Sequence, residues 1–256
     1  MSAQQVGVAV ITGASRGIGA AIAERCAADG MAVACAATSA SNVEAIVERI
    51  RSTYAVKAIG VEMRVENAAS VAEGIARVER ELGPVSVMVN NAGISGVASF
   101  LDMSVEDFDR VIAINLRGVF NGAQVAARHM VASGTKGAIV NIGSIAGVSG
   151  FPKRLGYAAS KAAVHQMTKV MAIDLAEHGI RVNCIAPGYI RTDMVQGLID
   201  QGTIDVDQLE RRIPMHELGT VDDIAAAVAW VASSQARYVT GETIQVDGGW
   251  VAYGHV

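Results

Sequence analysis

A short apolar run at residues 6–11 leads directly into a glycine-rich turn and then into an alanine-rich segment that is typical of a helix. The turn carries Gly13, Gly17 and Gly19. A strand, a glycine turn and a helix in this order place backbone N–H groups and a helix amino terminus against a pyrophosphate. Glycine is required because a side chain would hold the phosphates away from the backbone. The spacing is Gly-x3-Gly-x-Gly rather than the commonest dinucleotide fingerprint, so the turn alone is a weak indication.

The alternation of strand and helix continues along the whole chain. Strands are predicted near residues 6–11, 31–36, 57–62, 85–89, 137–142, 180–185 and 242–246. Helices are predicted near residues 17–29, 42–53, 67–82, 104–131, 154–178 and 221–233. Such alternation forms a parallel sheet with helices on both faces. The prediction is an α/β fold, a single Rossmann-type doubly wound parallel sheet of about seven strands, in one domain over residues 1–256.

One long irregular region interrupts this pattern at residues 189–220. It carries a short apolar stripe formed by Met194, Val195, Leu198 and Ile199. A stripe of this kind suits a lid that closes over a substrate and excludes water. A packed surface helix is the alternative for any one of these residues.

Tyr157 and Lys161 lie four positions apart within a segment of strong helix formers. Positions i and i+4 share one face of a helix. A nearby cation favours a phenolate over a phenol, and a phenol in this setting can give a proton to a carbonyl oxygen or take one from an alcohol. Ser144 can supply a further hydrogen bond to the same oxygen, as an oxyanion hole does. For an isolated pair, an exposed Tyr and Lys on an ordinary helix would be the better interpretation.

Together these segments resemble the short-chain dehydrogenase/reductase family over nearly the whole chain. Residues 12–19 resemble its cofactor loop, residues 90–93 its fourth-strand motif and residues 247–249 its closing motif. The resemblance implies the catalytic residues Asn115, Ser144, Tyr157 and Lys161. It implies a cofactor site made of Gly13, Ser15, Arg16, Gly17, Ile18, Gly19, Thr38, Ser39, Val65, Asn91, Ala92, Gly93, Tyr157, Lys161, Pro187, Gly188, Ile190 and Thr192.

The resemblance also implies a role for each catalytic residue. Tyr157 would act as the acid in reduction and the base in oxidation, and Ser144 would orient and polarise the substrate oxygen. Lys161 would activate Tyr157 and bind the nicotinamide ribose. Asn115 would interrupt its helix and hold a water of the proton relay. Hydride would pass to or from the nicotinamide, whose chemistry belongs to the cofactor.

The residues after the second strand favour NADP(H), with NAD(H) as the alternative. An acid at this place binds the ribose 2′-hydroxyl of NAD, but this chain has Ala37 there. Arg16 can reach a 2′-phosphate, and Thr38 and Ser39 offer hydroxyl donors. One position departs from the family pattern: Arg64 stands where an Asp or Asn commonly meets the adenine, and a guanidinium cannot accept that hydrogen bond.

The substrate is less constrained than the reaction. The chain looks most like 3-oxoacyl-[acyl-carrier-protein] reductases, notably at residues 37–39 and 187–193. The prediction is an NADP(H)-dependent oxidoreductase that interconverts a ketone or 3-oxoacyl carbonyl and a secondary alcohol. An NAD-dependent dehydrogenase of a sugar, a polyol or another secondary alcohol is the first alternative, and a non-catalytic NADP-binding sensor is the second. Lys153 and Arg154 can meet an anionic substrate, although solvated charge is the ordinary interpretation.

Composition restricts the partners. The net charge of −4 without a basic block argues against nucleic acid, and no apolar run approaches the length of roughly 20 residues that a membrane helix needs. Cys26, Cys35 and Cys184 are odd in number and lack metal-ligand spacing. We therefore expect no metal, a small-molecule substrate and a reduced cytoplasmic setting. The family commonly forms homotetramers through helices like 104–131 and 154–178, and the helix face that carries His165 is expected to meet either the site or a partner subunit.

Overall fold

Seven strands form one sheet in a computed structural model that describes residues 7–192, 195–196, 199 and 205–254. Their order is β3-β2-β1-β4-β5-β6-β7. The strands are β1 Val8–Thr12, β2 Ala32–Ala37, β3 Ala58–Glu62, β4 Val87–Asn90, β5 Ala138–Ile142, β6 Arg181–Pro187 and β7 Thr243–Val246. Every neighbouring pair is parallel. The predicted parallel sheet of about seven strands is confirmed.

Helices cover both faces of this sheet. They are α1 Gly17–Ala28, α2 Glu44–Thr53, α3 Ala68–Leu82, α4 Val105–Ile112, α5 Gly118–Ser133, α6 Leu155–Leu175, α7 Val206–Arg212 and α8 Val221–Ala232. Helices α1, α2 and α8 pack on one face, and α3, α5 and α6 contribute to the core on the other. No helix in the described part of the chain is both long and apolar enough to cross a bilayer.

Strand β1 shows why the predicted strands are continuous apolar runs. All five of its residues are buried. Ala9 and Ile11 belong to the core under α1, α2 and α8, while Val8 and Val10 belong to the core on the opposite face. Helices cover both faces of a parallel sheet, so the side chains on both faces of a strand are buried. Such strands are therefore apolar throughout and do not alternate between apolar and polar residues.

Side-chain caps fix the start of several helices. Asn67 accepts hydrogen bonds from the backbone N–H groups at the start of α3, and Ser104 does the same for α4. Thr220 and Asp223 form a reciprocal capping box at the start of α8. These caps satisfy N–H groups that have no partner within the helix.

The structure departs from the predicted elements at two places. The predicted helix 104–131 is divided, because a π-helical turn at Ala113–Arg117 separates α4 from α5. The region 189–220 is not wholly irregular, because it contains α7. In the predicted apolar stripe, Val195 and Ile199 are half-buried, whereas Met194 and Leu198 lie outside the described residues.

The chain order of the strands determines where a ligand can enter. From β1 the chain builds outward through β2 and β3, and it then returns to place β4 on the other side of β1. The crevice outside the carboxyl ends of β1 and β4 is therefore the topological switch point, where ligands of such sheets bind.

Candidate active site

A cleft of about 550 Å³ opens at the carboxyl ends of the central strands. Gly13, Asn91, Ser144 and Gly188 follow β1, β4, β5 and β6 and converge there. The predicted site residues that line the cleft are Gly13, Ser15, Arg16, Gly17, Ile18, Gly19, Thr38, Val65, Asn91, Ala92, Gly93, Ser144, Tyr157, Lys161, Pro187, Gly188, Ile190 and Thr192. The other two predicted residues, Asn115 and Ser39, are not among its lining residues.

A network of hydrogen bonds ties the end of β1 to the end of β4. Thr12 Oγ1 donates to Val89 O at 3.3 Å and accepts from the N–H groups of Asn91 and Ala92 at 3.0 and 3.1 Å. Asn91 Nδ2 returns two bonds, to Thr12 O at 2.9 Å and to Gly13 O at 3.1 Å. Because Thr12 is buried, these bonds fix the geometry of the glycine turn.

The close approach of this turn to β4 requires glycine. Gly13 has a φ of +65°, and a Cβ there would lie 2.9 Å from Ala92 Cα. A Cβ on Gly19 would collide with Gly13 O. Gly13 therefore combines a backbone constraint with a lack of space, whereas Gly19 is required by the lack of space alone. The turn delivers the chain to the amino end of α1 at Gly17, where free N–H groups suit a phosphate.

Tyr157 and Lys161 lie in the first two turns of α6, at the end of the cleft that Ser144 also lines. Lys161 is only 4% exposed, and its Nζ donates to Ile142 O at 2.7 Å. The same Nζ lies 5.6 Å from the centroid of the Tyr157 ring. The backbone oxygen of Ile142 thus holds the buried ammonium close to the half-buried ring of Tyr157.

Asn115 is fully buried behind this group, in the π-helical turn. Its amide oxygen accepts from Ile94 N and its Nδ2 donates to Ile94 O, both at 2.8 Å. Nδ2 also lies 3.3 Å from Ser160 Oγ, which donates to Tyr157 O at 2.7 Å. The side chain thus links the segment after β4 to the first turns of α6, and π-helical turns are frequent at functional sites.

His165 is a residue whose place at the site sequence analysis missed. Its Nε2 lies 3.5 Å from the backbone N–H of Ser144, and a Cβ on either Gly143 or Gly147 would collide with its ring. Burial lowers the pKa of His165, and the charges of Lys161 and Lys169 lower it further. The neutral imidazole therefore supports the turn that carries Ser144. Only its position one helical turn beyond Lys161 signals this in the sequence.

The adenosine end of the cleft has no carboxylate at the end of β2. Ala37 and Thr38 line it, and Asn42 Nδ2 lies 3.4 Å from Thr38 Oγ1. Ser39 instead pairs with a neighbouring serine hydroxyl at 2.8 Å. Arg64 is exposed and is not among the residues that line the cleft, which agrees with a solvated side chain.

A smaller pocket of about 180 Å³, called here the side pocket, adjoins the cleft. It is lined by Ser95, Ser144, Ile145, Ala146, Phe151, Arg154, Tyr157, Gly188 and Tyr189. Tyr189 lies 5.0 Å from Trp250 and 6.3 Å from Phe151, measured between ring centroids. Burial raises the pKa of Tyr189, and the charge of Arg154 opposes that rise.

Several lining residues of the main cleft were not predicted. They are Asn42, Met63, Glu66, Ile94, Ser95, Ile114, Ile142, Gly143 and Tyr189. Ala37 and Val195 also line the cleft, and the sequence places the first beside the ribose and the second in the lid stripe. Ile94 and Ser95 directly follow the motif at residues 90–93, and Tyr189 directly follows Pro187 and Gly188. Extending these two motifs by one or two residues would have found all three. Asn42 and Glu66 show no such signal except their place after β2 and β3.

Comparison with known proteins identifies the family. A family model described as Enoyl-(Acyl carrier protein) reductase matches residues 13–251. The chain is 42% identical to 2-(R)-hydroxypropyl-CoM dehydrogenase from Xanthobacter autotrophicus, over 96% of this chain and 98% of that protein. The chain belongs to the short-chain dehydrogenase/reductase family. It is also 42% identical to 3-oxoacyl-[acyl-carrier-protein] reductase FabG from Staphylococcus epidermidis, over 94% of this chain and 97% of FabG.

A solved structure of the same family supports the fold. The crystal structure of gluconate 5-dehydrogenase from Burkholderia cenocepacia J2315, in complex with NADP and tartrate, matches with a TM-score of 0.91 at 35% identity. The match covers 98% of this chain and 97% of that one.

This short-chain dehydrogenase/reductase is thus an oxidoreductase that acts on CH–OH groups with NAD(P). Its own cleft fits such a cofactor. Gly13, Gly17 and Gly19 line it beside the amino end of α1, where backbone N–H groups can bind a pyrophosphate. Thr192 and Ile190 line the far side, and the Lys161 ammonium is available to ribose hydroxyls. Within the described ranges, no cluster of His, Cys, Asp or Glu is placed to hold a metal ion.

The lowered pKa of His165 predicts a specific loss of stability in mild acid. The folded pKa lies below the ordinary value of 6.5, so below that pH the unfolded chain binds more protons at this residue and the free energy of unfolding falls. The side chain in His165→Gln cannot titrate. We therefore expect the melting temperature to fall less in this variant than in the wild type when the pH is lowered from about 7.5 to about 5.5.

Calorimetry at the two pH values checks this, with His178→Gln as the control because the His178 side chain is 40% exposed. Equal losses in the wild type and in His165→Gln would contradict the prediction.

Proposed function

We propose that the protein is an NADP(H)-dependent oxidoreductase that interconverts a ketone or 3-oxoacyl carbonyl and a secondary alcohol. The observation that carries this proposal is the convergence of Ser144, Tyr157 and Lys161 at one end of the cleft. Ser144 and Tyr157 also line the side pocket. A carbonyl group seated between the two cavities meets a serine hydroxyl and a phenol together.

Each side chain has a distinct task in this proposal. In reduction, Tyr157 gives its phenolic proton to the substrate oxygen, and in oxidation the phenolate takes the proton back. Ser144 donates a hydrogen bond to the same oxygen and stabilises its developing charge. Lys161, buried and held by Ile142 O, stabilises the phenolate. The nicotinamide, when bound, supplies or accepts the hydride.

Asn115 positions the segments that surround these side chains. Its amide holds Ile94 at one side and Ser160 at the other. Ser160 in turn fixes the backbone oxygen of Tyr157. Asn115 Oδ1 and Lys161 Nζ both lie close to Gly93, because a Cβ there would be 3.3 Å from the first atom and 3.8 Å from the second. We therefore assign Asn115 to holding the proton relay behind Lys161.

The relatives favour a carbonyl substrate but divide on its identity. FabG is named for a 3-oxoacyl substrate, and we take a 3-oxoacyl compound or simple ketone as the first candidate. A sugar or polyol dehydrogenase is the second candidate, because the structure matches gluconate 5-dehydrogenase along nearly its whole length. A binding protein without turnover is the weakest candidate, since Ser144, Tyr157 and Lys161 are all present.

The preference for NADP(H) rests on the adenosine end of the cleft. Ala37 offers no carboxylate to a ribose 2′-hydroxyl, and its side chain is buried. Arg16 lines the cleft and is exposed, so its guanidinium is free to reach a 2′-phosphate. Thr38 and Asn42 add a hydroxyl and an amide on the same side. The complex of gluconate 5-dehydrogenase with NADP supports this preference.

Cofactor preference should follow Ala37 and Arg16. A charged hydrogen bond contributes about 1.5–3 kcal/mol, so kcat/KM should favour NADPH over NADH roughly ten-fold or more. Ala37→Asp should shift the preference towards NADH, because a carboxylate repels a 2′-phosphate and binds a 2′-hydroxyl. Arg16→Met should reduce kcat/KM for NADPH alone. Arg64→Met is the control, and a clear preference of the wild type for NADH would overturn the assignment.

Turnover should depend on the phenol of Tyr157. Tyr157→Phe removes only the hydroxyl, and we expect a loss of about 10²–10⁴-fold in kcat with cofactor binding largely intact. Steady-state rates with the best ketone of a panel, together with fluorescence titration of NADPH, measure both quantities. Tyr238→Phe is the control because Tyr238 is 93% exposed. Near-normal turnover of Tyr157→Phe would refute the proposed chemistry.

The segment between Tyr189 and Gly219 is our candidate for the substrate lid of a single domain. Ile190 pairs with Gly219 in an isolated bridge, and Gly219 N donates to Tyr189 O at 3.0 Å. These contacts hold the first and last residues of the segment together beside the cleft. We also propose a cytoplasmic setting, which the three buried free cysteines support, because reduced thiols persist there.

We propose a homotetramer that uses the outer faces of α5 and α6. Phe120 and Val131 on α5 are 46% and 41% exposed, and Val170 and Ile173 on α6 are 49% and 76% exposed. Apolar side chains gathered on two neighbouring helices mark an interaction surface, and closed two-fold symmetry is the commonest way to bury it.

Light scattering should give the mass of four chains of 26.5 kDa. Ile173→Asp should dissociate the tetramer, because a carboxylate would be buried without a partner. Leu101→Asp, at an exposed apolar residue outside these helices, serves as the control. A wild-type monomer at micromolar concentration would refute the assembly.

A further inference from the structure

The side pocket contains one charged side chain, that of Arg154. Arg154 lies three residues before Tyr157, at the amino end of α6. The remaining lining residues are apolar, aromatic or hydroxyl-bearing and include no carboxylate. Among the described residues that line the pocket, Arg154 therefore places a positive charge without an acidic neighbour beside Ser144 and Tyr157, the two side chains that would hold the reacting oxygen.

One nitrogen of this guanidinium is buried without a hydrogen-bond partner. Among the described residues, the buried side-chain atoms without a partner are Arg154 Nη1, Asn90 Oδ1 and Thr243 Oγ1. Asn90 and Thr243 are neutral and belong to strands β4 and β7. Arg154 is thus the only charged group of the three, and it is the one that lines a pocket.

Two other partly buried arginines show that this chain can satisfy a guanidinium. Arg181 donates to the carbonyl oxygens of Val231, Ala232, Ser233 and Val239 at 2.7–3.3 Å. Arg212 donates to two carbonyl oxygens near the carboxyl terminus and stacks on Trp250 with 4.6 Å between its Cζ and the ring centroid. Among the described residues, Nη1 of Arg154 has no such partner.

A buried donor that stays unpaired destabilises the protein, and the penalty is larger for a charged group. A ligand that brings an oxyanion into the pocket removes this penalty. Carboxylate and sulfonate groups match the planar fork of a guanidinium and form short charge-assisted hydrogen bonds with it. The amino end of α6 adds positive potential at the same place.

We propose that the side pocket selects substrates that carry an oxyanion, a carboxylate or sulfonate, a few bonds from the reacting carbon, and that Arg154 is the residue that recognises it. This inference rests on the proposed oxidoreductase function, because Ser144 and Tyr157 define where the reacting carbon lies. The volume of about 180 Å³ limits the group beyond that carbon to a short one. A free small acid fits this description better than a neutral sugar does.

Three ketones with the same methyl ketone and the same two-carbon spacer test the proposal. They are 4-oxopentanoate, 3-oxobutane-1-sulfonate and the neutral 2,5-hexanedione. Their dissociation constants are measured by calorimetry on protein saturated with NADP⁺, which cannot reduce a ketone, so that binding is read without turnover. We expect at least one anion to bind roughly ten-fold or more tightly than the dione. The two anions distinguish a carboxylate from a sulfonate site.

Variants of the adjacent residues Lys153 and Arg154 show which of the two produces the preference for an anion over the dione. Arg154→Met should bring the affinity ratio of anion to dione close to one, and Arg154→Lys should retain part of it, because it keeps the charge but loses the fork. Lys153→Met is the matched control, since Lys153 is exposed and is not among the residues that line the side pocket. It should leave the ratio unchanged. The dione serves as an internal reference for the integrity of each variant.

The outcomes separate this inference from the proposed function. Equal affinities for all three ketones, no binding of either anion, or an anion preference that survives in Arg154→Met would overturn the role of Arg154. None of these results would alter the expected reduction of ketones by NADPH. Conversely, near-normal turnover of Tyr157→Phe would refute the proposed chemistry while leaving an anion preference in place.

Discussion

The hydrogen bonds between the ends of β1 and β4 are the constraint on which the site depends. Thr12 and Asn91 join the two strands that flank the topological switch point, through bonds of 2.9–3.1 Å between their side chains and the facing backbone. The bonds hold the glycine turn against Ala92 so closely that a Cβ at Gly13 would not fit. The room for a pyrophosphate and the direction of α1 both follow from this one junction.

A second junction holds the chemical end of the cleft. Lys161 is buried with its ammonium on Ile142 O, Asn115 joins Ile94 to Ser160, and His165 lies behind the turn that carries Ser144. Each of these side chains is paired with backbone of another element, so the groups around Tyr157 are oriented before any ligand binds. Such preorganisation is what electrostatic stabilisation of a developing oxyanion requires.

The number of strands and their parallel arrangement were predictable from local patterns, and most of the cleft residues from the family resemblance. Apolar runs predict buried strands, and the carboxyl ends of parallel strands meet at one edge. The division of the helix at Asn115 was not predictable, because the partner of its amide, Ile94, lies 21 residues away in sequence. Helix α7 was missed because it has only seven residues and starts from a cap at Asp205. The contact of His165 with Ser144 likewise depends on packing between α6 and β5.

The two ends of the cleft differ in how completely the protein satisfies its own polar groups. At the cofactor end, Thr12 and Asn91 already have partners within the chain, so the shape of this end is fixed before a ligand binds. At the substrate end, Arg154 has a buried nitrogen for which the described part of the chain offers no acceptor. Buried polar groups in folded proteins usually have a hydrogen-bond partner, and this contrast between the two ends of the cleft underlies our proposal that Arg154 recognises an oxyanion of the substrate.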